Sequence, residues 1–236
     1  MRDSLLRWAS ENGFLNMVKY LVKMGADVTT QNNDPIILAS KDGHLETIKY
    51  LVNIGGDVTS QDNSAVVWAS RNGHLNIIEY LIENGADLTD RDNSAVVWAS
   101  RCDRLETVKY LVKNGADVTA QNNEAVIWAS CKGHLNIVEY LIKIGADVTA
   151  QNNDAIRMAS RKGHLETVKY LVENGADVNR LTPKHKLYFQ MKRAYSKWRR
   201  VYLKGWIRKV LIPLYYSPQF QGGIQAKLAL QEVAAR

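Results

Sequence analysis

The chain has 236 residues, a formal net charge of +7, 46% hydrophobic and 23% charged residues, a balance that suits a folded, water-exposed protein and excludes disordered and fibrous classes. Its apolar runs stay short, as in Val210 to Tyr216 where Pro213 intervenes, against the roughly 18 residues that a membrane-crossing helix needs. The opening Met1-Arg2-Asp3-Ser4-Leu5-Leu6-Arg7 lacks the apolar core of a signal peptide, and two cysteines, Cys102 and Cys131, suit a reducing compartment, so an intracellular location (cytoplasm or nucleus) is expected.

The charge is unevenly placed. Residues 181–236 hold twelve Lys or Arg against one acid, Glu232, whereas residues 1–180 hold nineteen basic and twenty-three acidic residues. Electrostatic arguments about partners therefore apply separately to the two stretches.

From the N-terminus onward the triplet Gly-Ala-Asp recurs at Gly25, Gly85, Gly115, Gly145 and Gly175, with Gly-Gly-Asp at Gly55, in steps of 30 residues. The same frame superposes Trp8-Ala9-Ser10, Leu38-Ala39-Ser40, Trp68-Ala69-Ser70, Trp98-Ala99-Ser100, Trp128-Ala129-Ser130 and Met158-Ala159-Ser160. Six copies of one supersecondary element follow, at about 1–30, 31–60, 61–90, 91–120, 121–150 and 151–180. The first unit opens at its first helix with no polar N-terminal cap, as an array entered part-way would.

Within a unit the signals predict helix, turn, helix, loop. In the third unit Ser64 is placed to cap a helix over Ala65 to Arg71, and Asn72-Gly73 ends it. A second helix starts near His74-Leu75 and carries Leu75, Ile77, Ile78, Leu81 and Ile82 at helical spacing, closed by Gly85 as a left-handed cap. Asp87 to Asn93 is a polar loop. Neither short helix is stable alone in water, so the units must stack, with the small Ala69 and Ala99 letting first helices approach closely.

The strings Gly-His-Leu-(Glu/Asn)-x-(Val/Ile)-x-Tyr-Leu-(Val/Ile) and Gly-Ala-Asp-Val resemble the second helix and closing turn of the ankyrin repeat, over residues 5–179. Two departures stand out. The family's Thr-Pro-Leu-His opening is replaced by Ser64-Ala65-Val66-Val67 and its equivalents, and the period is three residues short of the usual 33 or so, with the loss between Asp87 and Ser94, where the family projects a hairpin. The short period and the Lys-Tyr-Leu-Val wording are similar to ankyrin arrays of giant DNA viruses of amoebae, which would place the protein in a host cell. The resemblance implies an all-α ankyrin-type helix-turn-helix solenoid with shortened hairpin loops. It also implies a partner seated against first-helix ends on the concave side. Carried over by position, that surface is Glu11-Asn12, Lys41-Asp42, Arg71-Asn72, Arg101-Cys102, Cys131-Lys132 and Arg161-Lys162.

The remaining candidates weigh toward structure. His44, His74, His134 and His164 share one repeat position, so neighbours stand roughly one helix spacing of 8–10 Å apart, too far for a common zinc ion at about 2 Å, and each is expected to bond backbone. Trp8, Trp68, Trp98 and Trp128, with Leu38 and Met158, form a column expected in the core, with an exposed ligand-binding ladder as the alternative. The alternation Lys49, Glu79, Lys109, Glu139, Lys169 is expected to give weak attraction along the stack. Cys102 and Cys131 are expected as free thiols, and Cys102-Asp103-Arg104 as a strained turn. No catalytic motif and no cofactor motif is present, and the acids at Asp27, Asp57, Asp87, Asp117, Asp147 and Asp177 are repeat-locked loop residues.

After Val178 the repeat stops. Pro183 opens a basic amphipathic tail over 181–236 in which Leu187, Met191, Ala194, Tyr195, Trp198, Val201, Tyr202 and Trp206 follow helical spacing. Lys192, Arg193, Lys197, Arg199, Arg200 and Lys204 occupy the rest of the wheel. The tail is expected to cap the last repeat through Leu187, Met191, Tyr195 and Trp198, with Pro213 and Pro218 ending it and a short helix over Ala226 to Ala234. A basic aromatic helix also suits nucleic acid, an anionic membrane or an acidic groove. The sequence thus points to a non-enzymatic scaffold for a protein partner, with a nucleic-acid or anionic-surface binder acting through the tail as the alternative.

Overall fold

Each unit forms a helix pair, as the apolar spacing predicts: α1 (Arg2–Glu11) with α2 (Leu15–Lys23), α3 (Thr30–Asp42) with α4 (Leu45–Asn53), and α5 (Ser60–Asn72) with α6 (Leu75–Glu83). The series continues with α7 (Asp90–Arg101) and α8 (Leu105–Lys113), α9 (Ala120–Lys132) and α10 (Leu135–Lys143), and α11 (Ala150–Lys162) and α12 (Leu165–Glu173). A 3₁₀ turn over Val178–Arg180 and then α13 (Pro183–Trp206) follow. This computed structural model describes residues 1–206, and among them no strand occurs. The chain divides into two compact units, Met1–Thr182 and a second that starts at Pro183. The expected breaks at Pro213 and Pro218 and the short helix from Ala226 to Ala234 lie outside the described residues.

Within Met1–Thr182 the first helices pack side by side and the second helices line up beside them. Close approach of the first helices depends on the small column Ala9, Ala39, Ala69, Ala99, Ala129 and Ala159, every member fully buried. Around it lie Leu6, Ile36, Val66, Val96, Val126 and Ile156 from the first helices, and Leu51, Leu81, Leu111, Leu141 and Leu171 from the second, all without exposure. Burial of one such Leu or Ile stabilises the fold by about 1.5–3 kcal/mol. The core is therefore a continuous row, and each repeat completes its neighbour's.

The second helices close as expected. Gly85 has φ +97°, its N–H donates to Ile82 O at 3.0 Å, and Ala86 N–H donates to Leu81 O at 3.0 Å, the pair of bonds of a Schellman cap. The two-repeat alternation resolves differently from expectation. Lys49, Lys109 and Lys169 bond within their own helices, to Glu46, Glu106 and Glu166 at 2.8, 2.8 and 2.6 Å. The same alternation runs through one buried column, Thr47, Ile77, Thr107, Ile137 and Thr167, where smaller and larger side chains take turns.

The shortened loop holds the largest surprise. Ser64 does not cap; its hydroxyl donates back to Gln61 O at 2.6 Å. The three residues before it, Gln61, Asp62 and Asn63, have φ of 53°, 54° and 58°, one turn of left-handed helix leading directly into a right-handed one. Gln31-Asn32-Asn33, Gln121-Asn122-Asn123 and Gln151-Asn152-Asn153 do the same. Each left-handed residue costs roughly 1–2 kcal/mol, less for Asn and Asp, and such residues ordinarily occur singly.

The compensation is a set of bonds between successive connecting loops. Buried Asn33, Asn63, Asn93, Asn123 and Asn153, each in the loop that opens a repeat, turn the side-chain Oδ1 onto the N–H of the aspartate in the loop that closes the same repeat. These contacts, to Asp57, Asp87, Asp117, Asp147 and Asp177, measure 2.7–2.9 Å. Gln61 Nε2 donates to Gln31 O and Asn32 O at 3.1 Å, and Gln151 Nε2 reaches Gln121 O and Asn122 O at 3.3 Å. Each clamped aspartate folds its own loop: Asp57 Oδ1 accepts from Thr59 Oγ1 at 2.7 Å and Thr59 N–H at 2.8 Å, which holds its carboxyl below the ordinary 3.8.

Asn123→Ala is expected to destabilise the array by about 1–3 kcal/mol, since it strands the Asp147 N–H and puts alanine at positive φ. Asn123→Gly should cost less because it removes only the bond. Urea unfolding of both variants checks this, and equal losses would contradict the assignment of part of the cost to φ.

Candidate functional site

The outer face of the first helices is where the repeats differ most. Trp68 and Arg71 stand three residues apart on α5, so they share a face, and Trp98 and Arg101 do the same on α7. The expected core column of tryptophans is not in the core. Trp68, Trp98 and Trp128 are half-buried and Trp8 is 48% exposed, because Val66, Ala69 and their equivalents already fill the space between helices.

What fills the gaps between the indoles is arginine. The Arg71 guanidinium carbon lies 4.8 Å from the Trp68 ring centroid and 4.7 Å from that of Trp98. Arg101 lies 4.8 Å from Trp98 and 4.0 Å from Trp128. The side chains alternate as Trp68, Arg71, Trp98, Arg101, Trp128 across three repeats, each arginine held between rings of two neighbours. One such cation–π contact contributes about 0.5–1 kcal/mol when exposed and up to about 2 when shielded from water. Trp128 Nε1 additionally donates to Glu124 Oε2 at 3.3 Å.

The ladder has definite ends. In the second repeat Leu38 and Lys41 take the two positions, and Lys41 Nζ pairs with Glu11 at 3.3 Å. In the first repeat Trp8 packs on Phe14, ring centroids 5.3 Å apart. In the fifth repeat Cys131 stands where the ladder has arginine, and it is only 4% exposed, so it presents no side-chain surface. Cys131 and Cys102 are both free thiols.

Charge differs along the face as well. Arg7 pairs with Asp34 at 2.7 Å and Arg157 with Asp154 at 2.7 Å. Ser64 and Ser94 occupy the position of Asp34 and Asp154 in the two repeats that supply the ladder arginines. Among the described residues no carboxylate lies within ion-pair distance of Arg71 or Arg101.

The histidine column fixes the register of this face. His44, His74, His134 and His164 place Nε2 2.9–3.1 Å from the carbonyls of Glu11, Lys41, Arg101 and Cys131, each 33 residues earlier. Arg104, the substitute in the fourth repeat, directs Nε to Arg71 O at 3.4 Å. These carbonyls sit near first-helix ends, where the helix itself offers no partner. Asp103 takes the glycine position at φ +60°, a conformation aspartate tolerates, and its Oδ1 lies 3.5 Å from His134 Nδ1. Among the described residues no group of three His, Cys, Asp or Glu side chains could hold a metal ion.

Other members of the expected partner surface scatter by environment. Asp42, Lys132, Arg161 and Lys162 are exposed, Cys102 is intermediate, and Asn72 donates Nδ2 to Lys41 O at 2.6 Å. In the second unit, Lys192, Lys197, Arg199, Arg200 and Lys204 are exposed along α13. Leu187, expected as a covering residue, is 56% exposed, and the side chains of Met191, Arg193, Ala194, Tyr195, Trp198 and Trp206 lie outside those described. No helix among the described residues is long and apolar enough to cross a membrane.

Comparison with known proteins agrees with this architecture. A family model described as ankyrin repeats (3 copies) matches residues 2–62, 36–122 and 96–182. The crystal structure of the human ASB11 ankyrin repeat domain is similar with a TM-score of 0.66 and 22% sequence identity, over 76% of this chain and 87% of that one. At that identity the likeness is one of fold. No curated protein sequence matches significantly.

Trp98, which stacks on two arginines, is expected to contribute more than Trp128, which stacks on one. Trp98→Leu should lower stability by about 1–2 kcal/mol and Trp128→Leu by roughly half that, read from urea midpoints. Equal losses would mean that the arginines do not stack in solution.

Proposed function

Because the chain belongs to the ankyrin-repeat family, whose members are generally protein–protein interaction modules, we propose that it is a non-enzymatic scaffold that seats a protein partner on the concave side, against the exposed face of its first helices. The observation that carries this is the half-exposed ladder of Trp68, Arg71, Trp98, Arg101 and Trp128. Tryptophan and arginine are the residue types that dominate binding energy at protein interfaces, and here they are already held rigid, so little side-chain freedom is lost on association. Lys41, Asp42, Asn72, Cys102, Lys132, Arg161 and Lys162 surround the ladder as its polar rim. The framework beneath is repeated almost unchanged while this face varies, which is what selects one partner from another.

The exposed cations Lys192, Lys197, Arg199, Arg200 and Lys204 of α13 support a second reading, a contact with nucleic acid or an anionic surface through these residues together with Arg193 of the same helix. The two readings separate in one affinity capture from cell lysate. Trp98→Ala is expected to abolish recovery of the partner, and Arg199→Glu combined with Arg200→Glu to leave it intact. The reverse pattern would make the tail the binding element.

A further inference from the structure

The ladder fixes the position of two positive charges that no carboxylate among the described residues pairs with. The guanidinium carbons of Arg71 and Arg101 lie 4.0–4.8 Å from the centroids of the indoles on either side, and a guanidinium set against rings in this way bonds a ligand through its N–H groups. On the same face Arg7 pairs with Asp34, Lys41 with Glu11 and Arg157 with Asp154. In the two repeats that supply the ladder arginines, Ser64 and Ser94 stand where the second and sixth repeats have Asp34 and Asp154. A guanidinium fixed in a plane, with its edge open, is built to accept a carboxylate through two parallel N–H···O bonds.

Spacing narrows the ligand further. Arg71 and Arg101 occupy equivalent positions on adjacent packed helices, whose axes lie roughly 8–10 Å apart. A polyproline II segment advances about 3.1 Å per residue and repeats its facing every three residues, so side chains at i and i+3 point the same way about 9 Å apart. We infer that the ladder binds an acidic peptide in extended polyproline II form, running along the stack, with carboxylates three residues apart on Arg71 and Arg101 and the intervening apolar residues against the indole edges. This inference rests on the first-helix face being the interaction surface and adds the chemistry of what it takes.

The test titrates the full chain with a fluorescein-labelled peptide of four Glu-Ala-Pro triplets and with its Gln-Ala-Pro counterpart. The acidic peptide is expected to bind, its glutamine counterpart at least about tenfold more weakly, and Arg71→Gln to cost a further factor of about ten in affinity for the acidic peptide. Arg71→Lys, which keeps charge but loses the planar fork, should fall between. Since the arginines also join repeats, thermal melting accompanies each variant. The comparison of the two peptides on the unaltered chain stands even if a variant unfolds. Equal affinity for the two peptides would overturn the inference, as would acidic-peptide binding unchanged in a folded Arg71→Gln, Arg101→Gln double variant. Tighter, arginine-dependent binding of a twelve-residue oligothymidylate would overturn it in favour of a phosphate backbone. If neither peptide binds while lysate capture remains sensitive to Trp98→Ala, the acidic-peptide assignment falls and the interaction face stands.

Discussion

A buried asparagine amide between successive connecting loops governs this architecture. Asn63, in the loop that opens the third repeat, lies in left-handed backbone conformation and places its Oδ1 on the N–H of Asp87 in the loop that leads to the fourth, and the same bond recurs from Asn33 to Asn153. Left-handed conformation is what aims the amide forward, and the forward bond is what makes three consecutive left-handed residues tolerable. With a full hairpin in the loop, neighbouring repeats would have backbone to spare for pairing. With three residues fewer, the asparagine side chain of each repeat ties its opening loop to the loop that leads into the next.

The clamp acts at one end of the first helices and the histidine-to-carbonyl bonds act at the other. Held at both ends, adjacent first helices have little freedom to slide. That matters for the ladder, because an arginine sandwiched between rings from two repeats keeps both contacts only while the repeats stay in register. Turn chemistry far from the exposed face therefore sets the precision of the exposed face.

Much of this was legible in the residues. Glycine at Gly85 reads as a left-handed cap because the position needs positive φ, and the helical stripe of Ile77, Ile78 and Leu81 reads as buried because nothing else would cover it. The left-handed turn was not legible, since Gln61-Asp62-Asn63 carries no glycine and intrinsic preference argues against three such residues together; interactions between repeats outweigh it. The tryptophans were assigned to the core on size alone. Two visible signals pointed outward: an arginine three residues after Trp68 and Trp98, and the exchange of Asp34 for Ser64 and Ser94. The alternating column reads as weak attraction along the stack, while the stronger contacts of its lysines are with Glu46, Glu106 and Glu166, three residues before them on the same helix.

The buried alternation of Thr47, Ile77, Thr107, Ile137 and Thr167 bears on how such an array changes length over evolutionary time. Recombination between identical frames inserts or deletes whole repeats, and every inter-repeat bond survives because each repeat brings the same donors and acceptors. Volume is less forgiving. Loss of one repeat would set two threonines or two isoleucines in neighbouring places of that column, leaving a void in one case and crowding in the other. Loss of two leaves the alternation unbroken, so inheritance favours gain and loss in pairs, and the ladder, centred on three successive repeats, is cut by any such event that falls within it.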